Sequence, residues 1–241
     1  MNPLVTIITP TTGASTLRQA IESVKSQTYK EIQHLVVVDG SHPSATPVLQ
    51  DYPHLDVIKL PYSTGKDRFN GHRIYGASIY LAKGELFCFL DEDNWLDPDH
   101  VESLVQIMLS GAPWAFSLRK IMDKEGNYIC NDDCESLGNW PSILSDDDYF
   151  VDVGCYFIPK MIAIQTSQLW YRKAREPGVP EIDRILSHVL RSNKAFGVCN
   201  NKYSLNYRTG NTGLSVQKEF FINGNEHMMK KYNGVLPWQK T

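Results

Sequence analysis

The sequence has no long hydrophobic run. No stretch approaches the roughly 20 apolar residues needed to span a bilayer, so no transmembrane segment is expected. Cysteine is scarce, with five in 241 residues: Cys88, Cys130, Cys134, Cys155 and Cys199. An odd count at irregular spacing argues against a disulfide framework and fits a reducing compartment. Cys130 and Cys134 are the one close pair, and no nearby Cys or His completes a zinc set. Neither charge is in large excess: 24 Lys and Arg stand against 27 Asp and Glu, a net charge of -3. That removes any electrostatic reason to expect a nucleic-acid or anionic-membrane partner. The N-terminus, MNPLVTIITP, lacks the basic region and small-residue cleavage site of a signal peptide. Internal repeats and low-complexity tracts are also missing. The expectation is a soluble cytoplasmic protein of one large domain, with attachment to the inner face of a membrane through a partner left open.

What the chain does have is a series of short buried strands with polar tips. Leu4–Thr9 reads as a first buried strand, rich in β-branched residues. Ser15 reads as the N-cap of a helix in which Leu17, Ala20, Ile21 and Val24 recur at helical spacing. Ile32–Val38 is a second strand, so strand, helix and strand form a right-handed βαβ unit with parallel strands. A short helix near Ala45–Tyr52, an edge strand Asp56–Leu60 and a helix from His72 to about Ala82 follow. Leu86–Leu90 is an unbroken apolar run ending in Asp91, Glu92 and Asp93. A run this short suits a strand buried on both faces, and its carboxylates must emerge where the strand ends. In open α/β sheets that end is where ligands bind.

Asp97 and Pro98 read as the N-cap and first position of the next helix. Trp114–Met122 and Tyr128–Cys130 suggest a hairpin, which makes the sheet mixed. Asp132–Asp148 is acidic and weakly periodic, and reads as a mobile loop. Val151–Ile158 is a further strand, Pro180 to about Ser192 a helix, Ala195–Cys199 a last short strand, Tyr203–Gly213 a polar loop, and Val216–Tyr232 a final helix.

Three motifs occur in order after three strands: Thr9-Pro10-Thr11-Thr12, Val38-Asp39-Gly40-Ser41, and Leu90-Asp91-Glu92-Asp93-Asn94. Together they resemble the nucleotide-sugar glycosyltransferases of family 2, which have the GT-A fold. The resemblance is close over about the first 110 residues and loose beyond. It implies a Rossmann-like, mixed and mostly parallel sheet flanked by helices. Residues 1–110 would form the nucleotide-sugar half and 111–241 the acceptor half of a single domain. The implied activity is an inverting, metal-dependent transfer of a sugar from a nucleotide diphosphate, typically UDP, to an acceptor hydroxyl, as in glycan synthesis. The partners would be that donor and a glycan or other hydroxyl acceptor.

The resemblance carries roles onto this chain's residues. Asp39 matches the acid that accepts a hydrogen bond from the nucleobase, and Thr9, Pro10 and Thr11 match the loop around base and ribose. Asp91 and Asp93 match a D-x-D motif, the first near the ribose and both counted toward Mn²⁺ or Mg²⁺ on the diphosphate. Glu92 is counted with the nucleotide-sugar contacts, although strand alternation turns it away from its neighbours. The loop Gly65–Arg73 holds Lys66, Arg68, His72 and Arg73 close to a helix start, where diphosphate is favoured. Arg73, with Arg68 behind it, is the favoured contact. Arg208 matches a flexible lid over the diphosphate. Pro180-Glu181-Ile182-Asp183 matches the segment that supplies the general base, with Glu181 on the usual position and Asp183 two residues on. Asp152 and Trp140 are the acceptor-side candidates.

Two rival enzyme classes lack their marks. A sugar nucleotidyltransferase would want a glycine-rich loop with a basic residue, and Pro10–Thr16 has neither lysine nor arginine. A nicotinamide-binding oxidoreductase would want G-x-G-x-x-G, and only Gly13 is present. A non-catalytic nucleotide-sugar-binding module is the third alternative, against which the intact D-x-D argues.

Overall fold

The computed structural model describes residues 2–66, 69–172, 182–210 and 216–239. Strand β1 (Val5–Thr11) is buried along its whole length, pairing in parallel with β2 (Ile32–Val38) on one side and β4 (Leu86–Phe89) on the other. Its polar side chains are satisfied inside the sheet: Thr6 Oγ1 donates to Gln33 Oε1 at 2.6 Å, and Thr9 Oγ1 lies 2.9 Å from His34 Nε2. β3 (Asp56–Lys59) adds to β2 at the edge. The strand order then reverses from the β1–β2–β3 side to β4. That crevice, outside the carboxyl ends of the strands, is where open α/β sheets bind ligands.

The rest of the chain extends the same sheet. β8 (Tyr156–Pro159) pairs antiparallel with β4, and β6 (Ala115–Met122) antiparallel with β8. β9 (Val198–Arg208) runs parallel to β6, β7 (Tyr128–Asn131) forms the hairpin on β6, and β5 (Trp95–Leu96) closes against β9. The order is β3-β2-β1-β4-β8-β6-β9-β5, a mixed, Rossmann-like sheet. Helices α1 (Leu17–Lys25), α2 (Ala45–Gln50), α3 (His72–Ser78), α4 (His100–Leu109), α5 (Lys160–Thr166), α6 (Ile182–Ser192) and α7 (Lys218–Lys231) complete it. α1 buries Leu17, Ala20, Ile21 and Val24, the stripe its spacing predicts. No helix among the described residues is long and apolar enough to cross a membrane.

Several expectations are corrected. Thr16, not Ser15, precedes α1, and it makes no side-chain cap. Asp97 does not cap α4, which begins at His100, because its carboxylate is taken by Lys120 at 2.5 Å and Asn206 at 2.9 Å. The segment read as the polar loop from Tyr203 is strand as far as Arg208. Its polar side chains look solvent-seeking but are paired: Ser204 Oγ with His100 at 2.8 Å, Asn206 with Asp97, and Arg208 with backbone carbonyls. The segment 132–148 is a loop as expected, but its first part, 132–138, is packed into the molecule, while 144–147 is exposed. Asp132, Cys134, Glu135, Ser136 and Leu137 are all buried, and an added methyl on Gly138 would lie 2.3 Å from Phe116. Finally, Val153–Cys155 forms a single 3₁₀ turn before β8, because Asp152 accepts from Gly154 N at 2.9 Å and turns the chain.

Candidate active site

The acidic turn after β4 joins four elements. Tyr75 on α3 donates its hydroxyl to Asp91 Oδ1 at 2.6 Å. Glu92 turns to the loop after β1, accepting from Thr11 Oγ1 (2.5 Å), Thr12 N (2.9 Å), Thr12 Oγ1 (2.7 Å) and Ala14 N (2.9 Å). Both its oxygens are filled, so its part in the site is to hold that loop. The Asp93 carbonyl accepts from Arg208 Nε at 2.9 Å, and Asn94 Oδ1 accepts from Arg208 N at the same distance. Burial, and then the neighbouring Asp93, push the Asp91 carboxyl up to about 7, against the opposing Tyr75 hydrogen bond.

Asp39, at the end of β2, is buried and crowded with donors. Oδ1 accepts from Thr64 N (2.6 Å) and Thr64 Oγ1 (2.9 Å), and Oδ2 from Ser63 Oγ and Gly65 N (3.0 Å each). A carboxylate has about four acceptor positions, and these donors occupy them. A base N–H reaches Asp39 only if one of them swings away. The loop so held runs on to Arg73, whose Nη1 donates to Thr64 O at 2.8 Å and whose guanidinium lies 3.7 Å from the Phe69 ring centre. Lys66 is exposed. His72 is not a cation here, since burial lowers it to about 4. Gly71 lets the start of α3 close onto Pro10, where an added methyl would stand 2.7 Å from the proline ring. Arg68 lies outside the described residues.

Across the sheet, a second set of acids gathers around Arg119, a buried residue of β6. Its Nε meets Asp132 at 2.8 Å, Nη2 meets Glu135 at 2.6 Å and Nη1 meets Asp152 at 2.5 Å. Tyr207 stacks on the guanidinium at 4.3 Å. Asp183 sits in the first turn of α6, its Oδ1 accepting from Arg184 N at 3.0 Å. Burial pushes its carboxyl up to about 7, and negative Asp152 pushes the same way, against the charge of Arg184. Asp152 also raises Asp91. Carboxylates from β4, the turn before β8 and α6 therefore share one field.

The sites expected from sequence divide accordingly. Asp91 interacts with Asp93 and Asp152, and Asp152 with Asp183; Thr11 bonds Glu92, Pro10 lies against Gly71 and Arg73 bonds Thr64. Thr9 does not reach the site. β1 runs two residues further than expected, because its pairing with β2 continues to Thr11, so Thr9 is inside the sheet with its hydroxyl on His34. Arg208 is no lid residue: it is a buried strand residue held by Asp93 O, Lys124 O at 2.7 Å and Gln19 Oε1 at 2.5 Å, and it covers Trp95. Trp140 packs on Trp238 at 5.8 Å in the apolar cluster with α7. Glu181 lies outside the described residues. Tyr75, Arg119 and Glu135 were missed. The available signal was the pair Arg119-Lys120 set inside the mostly apolar stretch Ala115–Met122, followed by an acidic segment that could pair with it.

The model of the family described as Glycosyl transferase family 2 matches residues 6–140, more than half of the chain, and spans both acidic motifs of the donor side. The chain belongs to glycosyl transferase family 2. Among related sequences, it is 35% identical over 109 residues to an uncharacterized glycosyltransferase of Rickettsia typhi, covering 44% of this chain and 32% of that one. It is 29% identical over 101 residues to glycosyltransferase GlyA of Streptococcus pneumoniae, covering 42% of this chain and 14% of that one. The chain thus spans a third or less of these relatives. Among solved structures, the S. aureus TarS 1–349 complex with UDP-GlcNAc superposes with a TM-score of 0.60 at 14% identity, covering 95% of this chain and 66% of that one. At that identity the likeness is one of fold, and the fold is the GT-A fold of this glycosyltransferase family.

Proposed function

We propose that this family 2 glycosyltransferase transfers a sugar from a nucleotide diphosphate sugar, with UDP as the nucleotide, to an acceptor hydroxyl by a single inverting displacement. Residues 1–110 bind the donor and 111–241 the acceptor. The observation that carries the reading is that Asp91 and Asp183, on separate elements, are both raised to about 7 and share Asp152 as a neighbour. A group titrating near neutrality suits a general base. Asp183 is the base in this reading: it takes the proton of the acceptor hydroxyl as that oxygen attacks the anomeric carbon and the bond to the diphosphate breaks.

On the donor side, Asp91 and Asp93 stand two residues apart and each raises the other's cost of ionising, a pairing that fits a hard divalent cation. Asp91 and Asp93 would hold Mn²⁺ or Mg²⁺, which supplies positive charge to the departing diphosphate. Arg73 and Lys66 add further positive charge. The UDP donor is supported by the TarS complex with UDP-GlcNAc. The five free cysteines are compatible with work in a reducing cytoplasm.

UDP release from UDP-GlcNAc, with and without Mn²⁺, tests the reading. Asp183→Asn should lower kcat by roughly 100- to 10,000-fold while the donor KM holds. Turnover of the wild type should rise with pH as Asp183 ionises near 7. Wild-type turnover in Asp183→Asn, with loss instead in Glu181→Gln, would move the base to Glu181.

A further inference from the structure

Asp183 can act only if the first turn of α6 is held against the acceptor wall, and charge contacts of the next residue hold it there. Arg184, the next residue, sends Nη2 to Glu135 Oε1 at 2.6 Å and Nη1 to Asp148. Its guanidinium lies 4.2 Å from the Phe150 ring centre. Glu135 is buried, and its other oxygen accepts from Arg119 Nη2 at 2.6 Å, while Arg119 also holds Asp152. One carboxylate therefore bridges two arginines, one on β6 and one beside the base. Two weaker ties complete the seat: Tyr156 donates to Asp183 O at 3.1 Å, and Ser187 donates to Tyr149 O.

We propose that Arg184 and Glu135 are positioning residues that fix Asp183 over the acceptor site, with Glu135 tying α6 to the Arg119–Asp152 pair so that base and acceptor wall move as one unit. The proposal rests on Asp183 being the base. A bidentate guanidinium fork held by two carboxylates and an aromatic face has one geometry, which is what a general base needs. The clamp also sets the charge Asp183 feels. The groups facing it are Asp152 from the turn before β8, Glu135 from the acceptor wall, Tyr156 from β8, and Arg184 on its own helix. Asp152 and Glu135 favour its protonated form, and Arg184 its ionised form.

Removing the two clamp residues should therefore move Asp183 in opposite directions, which loss of a merely structural contact would not do. The experiment is a carboxyl carbon-13 NMR titration of the full chain, with the Asp183 signal assigned from Asp183→Asn. In Arg184→Met its midpoint should rise, and in Glu135→Gln it should fall, each by about half a pH unit or more. The affinity for UDP, measured by calorimetry, should stay at the wild-type value in both. Arg184→Lys keeps the charge but loses the fork. It should keep the midpoint near wild type and lose about tenfold in UDP-GlcNAc turnover, and it serves if the methionine variant does not fold. Coincident midpoints in Glu135→Gln and wild type, or full turnover in Arg184→Lys, would overturn the clamp. If the midpoints split as expected and the acid limb of turnover does not follow them, the clamp stands and the assignment of Asp183 as base falls.

Discussion

At the carboxyl ends of β2 and β4 the acids are held by neutral donors, whereas around β6 and α6 they are held by arginines. Asp39 is bonded by Ser63, Thr64 and Gly65, Asp91 by Tyr75, and Glu92 by Thr11, Thr12 and Ala14. Asp132, Glu135 and Asp152 instead share Arg119, and Glu135 and Asp148 share Arg184. Hydroxyl and amide donors orient a carboxylate without cancelling its charge. That leaves the charge of these acids in place, as the proposed donor site requires. Arginines cancel charge and lock geometry together, which suits the wall proposed for the acceptor. Asp183 stands between the two regimes: it lies beside Arg184 but accepts its backbone N–H.

The largest effect that would break this comparison is on stability. Arg119→Met should destabilise by about 3–5 kcal/mol, because three buried carboxylates lose their common cation. Thermal unfolding would measure it. A change under 1 kcal/mol would mean that water or rearrangement replaces the arginine, and that the wall is no charge-locked unit.

A smaller effect separates two roles of Asp39. Asp39→Ala removes the acceptor of four donors on the loop Ser63–Gly65. Amide exchange at Thr64 and Gly65 should speed up by about tenfold, and UDP affinity should fall with it. Lost affinity with unchanged exchange would show that the carboxylate reads the base directly and that the loop holds itself.

The smallest expected effect concerns Asp183 and pH. Its folded value near 7 lies above the ordinary 3.8. Between those values the folded chain keeps a proton that the unfolded chain has lost, so stability falls as pH rises through this window. Asp183→Asn lacks this penalty. Its midpoint temperature should match wild type below pH 4, pull ahead between 4 and 7, and stay a few degrees ahead above 7. Equal melting at pH 8 would mean that Asp183 is ionised without cost and that Arg184 outweighs its burial.

The N-terminal part of the sheet was the more legible. Short apolar strands with polar or acidic tips are a local pattern, so β1, β2 and β4 and the turn Asp91–Asp93 follow from residues adjacent in the chain. The cluster around Arg119 and Arg184 rests on pairs distant in the chain. Arg119 meets Asp152 across 33 positions, and Arg184 meets Glu135 across 49. Before such pairing is known, charged residues read as solvent-facing, which is why the burial of 132–138 went unread and Arg208 read as a lid. Trp140 failed for a related reason: an aromatic in a polar stretch looks free to stack on a sugar until Trp238 is found beside it.

By itself the amino-acid order determined the βαβ start and the family, because both depend on neighbours in the chain, whereas Glu92 lies in a turn and is directed by its contacts with the loop after β1. Tertiary structure alone decided which charges cancel. Coulomb energies depend on distance and burial rather than on sequence separation. Only the folded sheet brings Asp152 close enough to act on both Asp91 and Asp183, and only there does Arg119 become the common partner of Asp132, Glu135 and Asp152.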